Sequence, residues 1–305
     1  MSARVGLVVN PTAGKGRGTP AGRDAHERLV ALGLDVVDLS GPTLAQASDR
    51  ARAAAVAGLD ALVVVGGDGM VHLGANVVAG TDVPLGIVAA GTGNDVARSL
   101  GLPRGDVAAS VAAIGAALDR APRAVDAVRV GTPGTSAREW FVGVLSCGLD
   151  AAVNARANGY SWPRGELRYV RALVAEVGRY RPFGYRVTHD GTVWEAASPI
   201  VAVANCPWFG GGVPIAPDAR VDDGLLDVVV ADPLDRPGVM RVLPAVYRGR
   251  HLENPRVRVF QARSLLVEPL TDLGATPPPA FADGERVGPL PVRLDVVPGA
   301  LKVLT

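Results

Sequence analysis

Apolar positions in the first half of the chain alternate with longer amphipathic stretches rich in alanine. Short apolar runs at 5–9, 35–39, 61–67 and 85–91 are predicted as strands, and the stretches at 21–32, 45–57, 71–79 and 107–118 as helices. The run at 61–65 is apolar throughout, which is typical of a parallel strand covered by helices on both faces. The pattern therefore predicts an α/β domain with a parallel sheet over residues 1–126.

From residue 127 one predicted strand follows another, so the second half is predicted to be a β-rich antiparallel domain. Strands at 186–189 and 192–196 are separated by Asp190-Gly191, a dipeptide typical of a tight hairpin turn. One helix is predicted at 166–180 as a lid on the sheet. Its apolar residues at helical spacing are Leu167, Val170, Leu173, Val174 and Val177. This division gives domains over 1–126 and 127–297, and the last strand, within 298–305, could complete the first sheet.

Composition limits the class of protein. The 31 basic and 30 acidic side chains leave a net charge of +1, so the chain lacks the positive field expected of a nucleic-acid partner. Cys147 and Cys206 have no metal or disulfide spacing and are predicted to be small buried apolar residues. The apolar run at 5–9 is too short for a signal peptide, and prolines and glycines break the uncharged window at 196–217. We therefore expect a cytoplasmic protein without a membrane span.

Three glycine-rich segments follow predicted strands of the first half, at 10–18, 66–70 and 91–95. The carboxyl ends of parallel strands form the ligand crevice of an open sheet, so all three segments could line one cleft. Glycine lets backbone N–H groups approach phosphate oxygens, and a following helix adds its dipole. One such loop is usually structural, whereas three in succession favour a phosphate-binding site.

The glycine-rich segments do not by themselves identify the type of phosphate site. The segments match neither the dinucleotide fingerprint nor the Walker loop, so a kinase built on them needs other charge compensation. Lys15 and Arg17 could supply part of it, or could be exposed basic residues of a loop. Asp68 lies between two glycines, where a bare carboxylate would repel phosphate. It therefore indicates Mg²⁺ or contact with a substrate hydroxyl.

Five motifs along the chain, three of which overlap the glycine-rich segments, carry a resemblance to a known family. The motifs are NPTAGKG at 10–16, VVVGGDGMVHLGANVVAG at 63–80, PLGIVAAGTGNDVARSLGLP at 84–103, DDGLLDV at 222–228 and FADGERV at 281–287. In this order, over nearly the whole chain, they resemble the diacylglycerol kinase catalytic family, which also contains sphingoid-base, ceramide and bacterial lipid kinases. The resemblance implies an α/β nucleotide-binding domain like that of NAD kinases and phosphofructokinases. It also implies an antiparallel β-sandwich domain and an active site in the cleft between the two.

The resemblance further implies ATP and Mg²⁺ as cofactors. Contacts to ATP are expected from the glycine-rich segments and the second strand: Asn10, Pro11, Thr12, Ala13, Gly14, Ser40, Gly66, Gly67, Asp68, Gly69, Met70, Val71, His72, Thr92 and Asn94. Asp223, with the carbonyls of Arg220 and Leu225, would bind a structural Mg²⁺. Without the family, the Asp-Asp-Gly at 222–224 is a plain turn.

The Asp-Gly-Glu element at 283–285 supplies the general base in the family. In an extended segment Asp283 and Glu285 would face the same side of the strand, and a carboxylate base assists an alcohol nucleophile. Either residue could accept the proton, together with Asp68 as the third catalytic residue, and the resemblance favours Glu285.

One departure from the family pattern follows the second glycine-rich segment. Relatives commonly continue GGDG with threonine and then Asn-Glu, whereas this chain has Met70, Val71, His72 and Leu73. A backbone N–H could replace the missing hydroxyl at Met70. His72 could be a phosphate or substrate partner, although a lone histidine at a helix start is more often structural.

The leading hypothesis is transfer of the ATP γ-phosphoryl group to the hydroxyl of diacylglycerol, giving phosphatidic acid. A sphingoid-base, ceramide or other glycerolipid kinase would use the same chemistry, and a non-catalytic nucleotide or lipid sensor is the alternative outside enzymes. Six arginines and four aromatic residues at 156–181 suit either an anionic membrane surface or a solvated helix face. The apolar loop at 208–217 could border an acyl-chain pocket or serve packing. We expect a protein peripheral to the inner face of the membrane, with a homodimer left open.

Overall fold

The computed structural model describes residues 2–10, 18–136, 138–160, 162 and 166–305. In the first half, four strands form a parallel sheet in the order β2-β1-β3-β4. They are β1 (Arg4–Val9), β2 (Asp35–Asp38), β3 (Ala61–Gly66) and β4 (Leu85–Ala89). The helices described in this half are α1 (Gly18–Ala31), α2 (Leu44–Gly58), α3 (Asp68–Val78), α4 (Asp95–Ser99) and α5 (Val107–Leu118). Every strand and helix predicted for this half is present, and α4 is an addition.

Helices cover both faces of this sheet. On one face, Leu29 of α1 and Ile114 of α5 share a buried core with Leu7 of β1. On the other face, Ala51 of α2 and Met70 of α3 belong to a second core, together with strand residues that alternate with the first set. Burial of a large apolar side chain contributes about 2 kcal/mol to stability. The run at 61–65 has no polar residue because both of its faces are covered in this way.

The second half is an antiparallel β sandwich. Its strands are β5 (Arg123–Gly131), β6 (Glu139–Phe141), β7 (Val144–Ser146), β8 (Phe183–His189), β9 (Thr192–Ser198), β10 (Val201–Ala204), β11 (Trp208–Phe209), β12 (Val213–Pro214), β13 (Leu226–Ala231), β14 (Val257–Ala262), β15 (Ser264–Pro269), β16 (Ala280–Ala282), β17 (Glu285–Gly288) and β18 (Val292–Val303). One layer has the order β14-β13-β10-β7-β16-β17, and the other extends the first-half sheet through β18, β15, β8 and β9. Tyr185 and Leu265 of one layer meet Leu145 and Leu226 of the other in a single core. The fold class predicted from the sequence is confirmed.

The last strand connects the two halves. β18 pairs antiparallel with β5 and β15, and its end runs parallel to β4, with Val303 opposite Leu85. The Leu304 N–H donates to the Leu85 carbonyl at 3.0 Å. The end of the chain therefore lies in the first-half sheet, and residue 126, the boundary predicted from the sequence, lies inside β5.

The second half holds more helix than the sequence indicated. Its described residues form α6 (Leu149–Asn158), α7 (Glu166–Arg179) and α8 (Arg236–Tyr247), with a 3-10 turn at His251–Glu253, where one helix was predicted. α6 buries Leu149, Ala151, Val153 and Ala157, and four polar residues interrupt its apolar pattern. α8 contains prolines at its start and in its interior, which obscured its helical pattern.

The prediction that the helix at 166–180 covers the sheet with its apolar face was wrong. α7 packs against α6 and α8 instead, and buries Ala172 and Val177. Leu167, Val170 and Val174 are 65%, 54% and 68% exposed. These three residues are separated by three and four positions, so they lie on one side of the helix. We call them the exposed α7 face.

Both cysteines behave as the sequence predicted. Cys147 and Cys206 are buried and carry free thiols. Burial raises the pKa of each thiol far above its usual range, so neither is available as a nucleophile. Among the described residues, no helix combines the length and the apolar composition needed to cross a bilayer.

Candidate active site

Two glycine loops, at the carboxyl ends of β3 and β4, pack backbone against backbone. A Cβ atom built on Gly91 would lie 2.3 Å from the Gly67 Cα, so only glycine fits there. The Gly91 N–H donates to the Gly66 carbonyl at 3.1 Å. At the end of β1, the Asn10 N–H donates to the Val65 carbonyl at 3.1 Å. The described parts of the three glycine-rich segments therefore meet at one edge of the sheet, as the sequence predicted.

Asn94 shapes the second of these loops. Its backbone is left-handed, with φ of 55°. Its side-chain oxygen accepts the Gly91 N–H, and its side-chain nitrogen donates to the Gly91 carbonyl, both at 3.0 Å. The polar atoms of Asn94 are thus used inside the loop, while Thr92 is exposed at the tip.

Asp68 is the first residue of α3. Its Oδ1 accepts the Val96 N–H of α4 at 3.0 Å, and a Cβ built on Gly93 would lie 3.0 Å from its Oδ2. Burial raises the pKa of Asp68 to about 6, with further increases from the charges of Asp95 and Asp283. Burial and two neighbouring carboxylates thus disfavour ionisation of Asp68, so a cation or a hydroxyl donor there would be stabilising.

Asp95 was missed as a functional residue, although it lies within the GTGND motif. It is 5% exposed, and its Oδ2 accepts the Gly211 N–H at 2.7 Å. Gly211 lies in the turn between β11 and β12, so the apolar stretch at 208–217 packs on α4 from the second half. Arg98 lies 3.9 Å from the other Asp95 oxygen and 5.5 Å above the Trp208 ring. A carboxylate directly after a glycine loop was the signal that could have identified Asp95.

The Asp-Gly-Glu element forms a hairpin turn between β16 and β17, so the expectation of an extended segment was wrong. Asp283 and Gly284 have φ of 52° and 86°, the left-handed backbone of a two-residue hairpin turn. Oδ2 of Asp283 accepts the Val142 N–H at 3.0 Å, and Oδ1 accepts the Gly143 N–H at 2.8 Å. The Asp283 side chain is only 1% exposed. Asp283 and Glu285 therefore do not share a face, because the turn reverses the chain between them.

Glu285 lies against the start of α3. It is exposed to solvent, and a Cβ built on Gly69 would lie 2.7 Å from its Oε1. The turn that carries it is supported by α6, where Asn154 donates to the Gly284 carbonyl at 3.4 Å. The fold thus brings Asp68, Gly69 and Glu285 together from opposite halves of the chain.

His72 lies between carboxylates of the second half. It is 8% exposed, with Nδ1 3.4 Å from Asp283 Oδ2 and Nε2 3.8 Å from Glu139 Oε2. Burial by itself lowers the pKa of His72, but the contacts with Asp283 and Glu139 outweigh it and raise the pKa to about 10. At neutral pH His72 is therefore an imidazolium that contacts protein carboxylates.

The remaining residues predicted to contact ATP differ in their surroundings. Pro11, Thr12, Ala13 and Gly14 lie outside the described residues. Ser40 accepts the Val9 N–H on its Oγ at 3.0 Å, which places it beside the end of β1. Met70 and Val71 are 1% and 2% exposed, with their side chains in the core. The Met70 N–H donates to the Gly67 carbonyl at 2.9 Å, so a backbone N–H that replaces the missing hydroxyl would have to come from another residue of the loop.

The turn expected to bind Mg²⁺ lies beside the buried carboxyl group of Asp227. Asp223 Oδ1 accepts the Leu225 N–H at 3.0 Å. Asp227 is buried, and its Oδ2 has no hydrogen-bond partner among the described residues. Burial raises the pKa of Asp227, and the charges of Asp223 and Asp218 add to the shift. Within the described ranges no group of three or more His, Cys, Asp or Glu forms a complete metal site. The acidic turn fits a hard cation, and a role for the Arg220 carbonyl stays a prediction.

Together these residues form an arrangement suited to phosphoryl transfer. The backbones of the GGDG and GTGND loops pack together, and the exposed carboxylate of Glu285 lies against Gly69. Positioning and charge stabilisation are the main requirements of that reaction, with a base for the acceptor hydroxyl.

Both halves of the chain match known domains. Residues 4–130 match the diacylglycerol kinase catalytic domain, and residues 143–305 match the YegS C-terminal NAD kinase beta sandwich-like domain. A diacylglycerol kinase of Mycobacterium tuberculosis is 37% identical over 303 residues, which cover 99% of this chain and 94% of that protein. A diacylglycerol kinase of Bacillus subtilis is 23% identical over 94% of this chain and 91% of its own length.

Solved structures share the fold. The crystal structure of a diacylglycerol kinase from Bacillus anthracis aligns with 99% of this chain and 96% of its own, with a TM-score of 0.74 at 23% identity. Yeast NADH kinase complexed with NADH aligns with 99% of this chain and 82% of its own, with a TM-score of 0.54 at 12% identity. At these identities the likeness shows the two-domain architecture alone.

Proposed function

This chain belongs to the diacylglycerol kinase catalytic-domain family of lipid kinases, and from that premise we propose that it transfers the γ-phosphoryl group of ATP to the hydroxyl of diacylglycerol. Membership of a kinase family implies the use of ATP. The observation that carries the proposal is the position of Glu285, an exposed carboxylate against the first turn of the helix that follows GGDG. A proton acceptor thus lies beside backbone that can hold phosphate.

The start of α3 would bind the phosphates. The first N–H groups of a helix have no acceptor within the helix, and the helix dipole favours negative charge there. Gly67 and Gly69 have no side chain to separate the backbone from a phosphate oxygen. The exposed Thr92 lies on the loop packed beside Gly67 and would add a hydroxyl contact.

Glu285 would take the proton of the lipid hydroxyl. As that O–H bond breaks, the oxygen attacks the γ-phosphorus, the bond to the bridging oxygen breaks, and ADP leaves with the electron pair. Asp283 is less suited to this role, because both of its oxygens already accept backbone N–H groups and its side chain is buried. Asp283 would instead hold the turn that carries Glu285, in keeping with the resemblance, which favours Glu285 as the base.

Asp68 and Asp95 are suited to hold a Mg²⁺ ion that accompanies ATP. A Cβ built on Gly93 would lie 3.0 Å from Asp68 Oδ2 and 3.5 Å from Asp95 Oδ2, so the two oxygens flank the same glycine. Bound there, Mg²⁺ would neutralise charge on the phosphates. Asp223 and Asp227 would hold a second, structural ion at the 222–227 turn.

The direct test is an assay with labelled ATP, Mg²⁺ and mixed micelles that present diacylglycerol, sphingosine, ceramide or monoacylglycerol in separate reactions. We expect labelled phosphatidic acid, reduced about 100-fold or more by Glu285→Gln, since a positioned base contributes that much to rate. Glu195→Gln is the matched control, because Glu195 is exposed on β9 and pairs with Arg186.

Each other result has a defined meaning. Phosphorylation of a different lipid would identify another acceptor, and the proposal of lipid kinase activity would stand. ATP binding without labelled product in any reaction would overturn the proposal and favour a non-catalytic sensor. Full activity of Glu285→Gln would overturn the assignment of the base.

We also propose that the exposed α7 face docks on an anionic membrane. Arg168, Arg171 and Arg179 belong to the same helix and give it positive charge. Arg171 lies 4.2 Å above the Tyr160 ring and donates to the Trp162 carbonyl at 2.6 Å. Trp162 itself is 74% exposed. Apolar residues beside arginines and an exposed tryptophan suit the headgroup region of a bilayer.

The docking helix is linked to the acceptor site through α6. α7 packs on α6, and α6 contacts the turn before Glu285 through Asn154. This arrangement corresponds to a cytoplasmic protein that acts at the inner face of the membrane.

A further inference from the structure

We propose that His72 is a positioning residue of the phosphotransfer site, because its ring lies between Asp283 and Glu139, ties α3 to the Asp-Gly-Glu turn and to β6, and so holds Glu285 against the start of α3. This role rests on the proposed function, since Glu285 acts as a base only if the protein is a lipid kinase. The ionic link itself is a separate structural claim with its own measurement.

One side of α3 faces the second half of the chain. Gly69, His72 and Asn76 are spaced by three and four residues, so they follow one another along this side of the helix. We call these three residues the α3 seam. Gly69 lies against the Glu285 carboxylate, and His72 lies between Asp283 and Glu139. The seam therefore joins the helix that follows the GGDG loop to β6 and to the turn that carries the proposed base.

Asn76 fixes the far end of the seam. Its side-chain nitrogen donates to the Trp140 carbonyl at 2.7 Å, and its side-chain oxygen accepts the Trp140 N–H at 2.9 Å. These two bonds attach α3 to the backbone of β6. His72, one turn earlier, contacts the side chain of Glu139 on the same strand and Asp283 on the turn.

His72 supplies the positive charge of the seam. Charged groups are carried by α3, by the elements packed against it, and by β5 beside β6: Asp68, Glu139, Asp283, Glu285, Asp95, Arg98 and Arg129. Of the two arginines, Arg98 lies beside Asp95 and Arg129 lies over the Trp140 ring. Among the described residues, His72 is the cation that lies between Asp283 and Glu139, and these two contacts raise its pKa to about 10.

His72 does not itself contact the reacting groups in this arrangement. Its two ring nitrogens face Asp283 and Glu139, and the residue is 8% exposed. Removing its charge would leave Asp283 buried beside Glu139 without a cation, and would loosen the turn that carries Glu285. The GGDG and GTGND loops keep their own contacts. Loss of His72 should therefore lower kcat more than it changes KM for ATP.

The kinetic test compares His72→Gln, Glu139→Gln and His189→Gln with the unmodified protein. We expect His72→Gln to lower kcat at least about 10-fold with KM for ATP changed less than about twofold, and Glu139→Gln to show a smaller loss. His189→Gln is the matched control, because His189 stacks on Phe260 at the far sheet and should keep full activity. Thermal unfolding of each variant measures whether it is folded.

The spectroscopic test measures the His72 imidazole by NMR, with its signals identified by their absence from His72→Gln. We expect His72 to remain protonated from about pH 6 to about pH 8.5, and its titration to move to lower pH in Glu139→Gln. Glu139→Gln should fold even if His72→Gln does not, because the Glu139 side chain is 38% exposed.

Two results would overturn the proposal: titration of His72 near the ordinary value of about 6.5, or wild-type kcat in a folded His72→Gln. If the unmodified protein phosphorylated no lipid, the proposed function would fail, and the His72 titration would still decide whether the ionic link exists.

Discussion

Asp68 is less stable as a carboxylate in the folded protein than in the unfolded chain. Burial, followed by the charges of Asp95 and Asp283, raises its pKa from 3.8 to about 6. The folded state therefore binds a proton more tightly than the unfolded state, and this group lowers stability as pH rises from about 4 to about 6 and stays unfavourable above that.

Asp68→Asn should remove this destabilisation. We expect the free energy of unfolding to rise by about 1–2 kcal/mol at pH 7 and to change little near pH 3.5. The asparagine oxygen can still accept the Val96 N–H, so the fold should be kept. Urea unfolding at both pH values, with Asp24→Asn on exposed α1 as the control, is the measurement. An equal change at both pH values would contradict the explanation, and lipid kinase activity should fall in the same variant.

Gly69 tests how closely Glu285 approaches α3. In Gly69→Ala the new Cβ would lie 2.7 Å from Glu285 Oε1, so the carboxylate must move. We expect kcat to fall about 10-fold while stability is unchanged or slightly higher, because alanine is favoured over glycine in helices. Gly178→Ala is the matched control, since it is also helical and its Cβ would meet nothing within 4 Å. Equal activity of the two variants would argue against the proposed position of the base.

At the scale of an element, the proposed binding of the exposed α7 face to anionic membranes can be measured. Val170→Ser combined with Val174→Ser should weaken binding to anionic vesicles about 10-fold or more, because each valine contributes on the order of 1 kcal/mol on transfer from water. Both residues are exposed, so thermal unfolding should change little. Val56→Ser is the control, since Val56 is 91% exposed on α2, away from α7. Unchanged sedimentation with vesicles would refute docking through this face.

Two hairpin turns show that a local sequence signal can be enough to predict an element. Asp190-Gly191 was predicted as a hairpin turn, and β8 and β9 pair across it with positive φ at both residues. Asp283-Gly284 is the same dipeptide in the same conformation, although an extended segment was predicted there. The local signal for both turns is identical, so the second could have been predicted as well.

At the scale of the whole molecule, Asp126 joins turns from distant parts of the chain. It is 2% exposed, and its carboxylate accepts the Gly224 N–H at 2.6 Å and the Gly299 N–H at 2.8 Å. Its own N–H donates to the Val221 carbonyl at 2.7 Å. One side chain thus holds the acidic turn of the second half and the bend of β18 together.

Asp126→Ala would leave two buried N–H groups without an acceptor. We expect the free energy of unfolding to fall by about 3 kcal/mol, since hydrogen bonds to charged groups are worth more than neutral ones. Asp222→Ala is the comparison: its partner Arg123 is partly exposed, so the loss should stay below about 1 kcal/mol. Similar losses in chemical denaturation of the two variants would contradict this role.

The sequence by itself determined the α/β half, the antiparallel half and the meeting of the glycine loops at one edge of the sheet. These features depend on the period of apolar residues and on the conformational freedom of glycine, both of which are local properties of the chain. α6 and α8 escaped prediction because polar residues and prolines weaken that period.

Only the tertiary structure decided which carboxylate is free to act. Asp283 and Glu285 are two residues apart in sequence. The Asp283 side chain is buried and accepts the N–H groups of Val142 and Gly143. Glu285 is exposed and lies against Gly69. Likewise, packing of α7 on α6 left apolar residues in solvent that the helical period alone would bury. Burial, charge pairing and the approach of distant backbone depend on where the two halves meet, which no local pattern encodes.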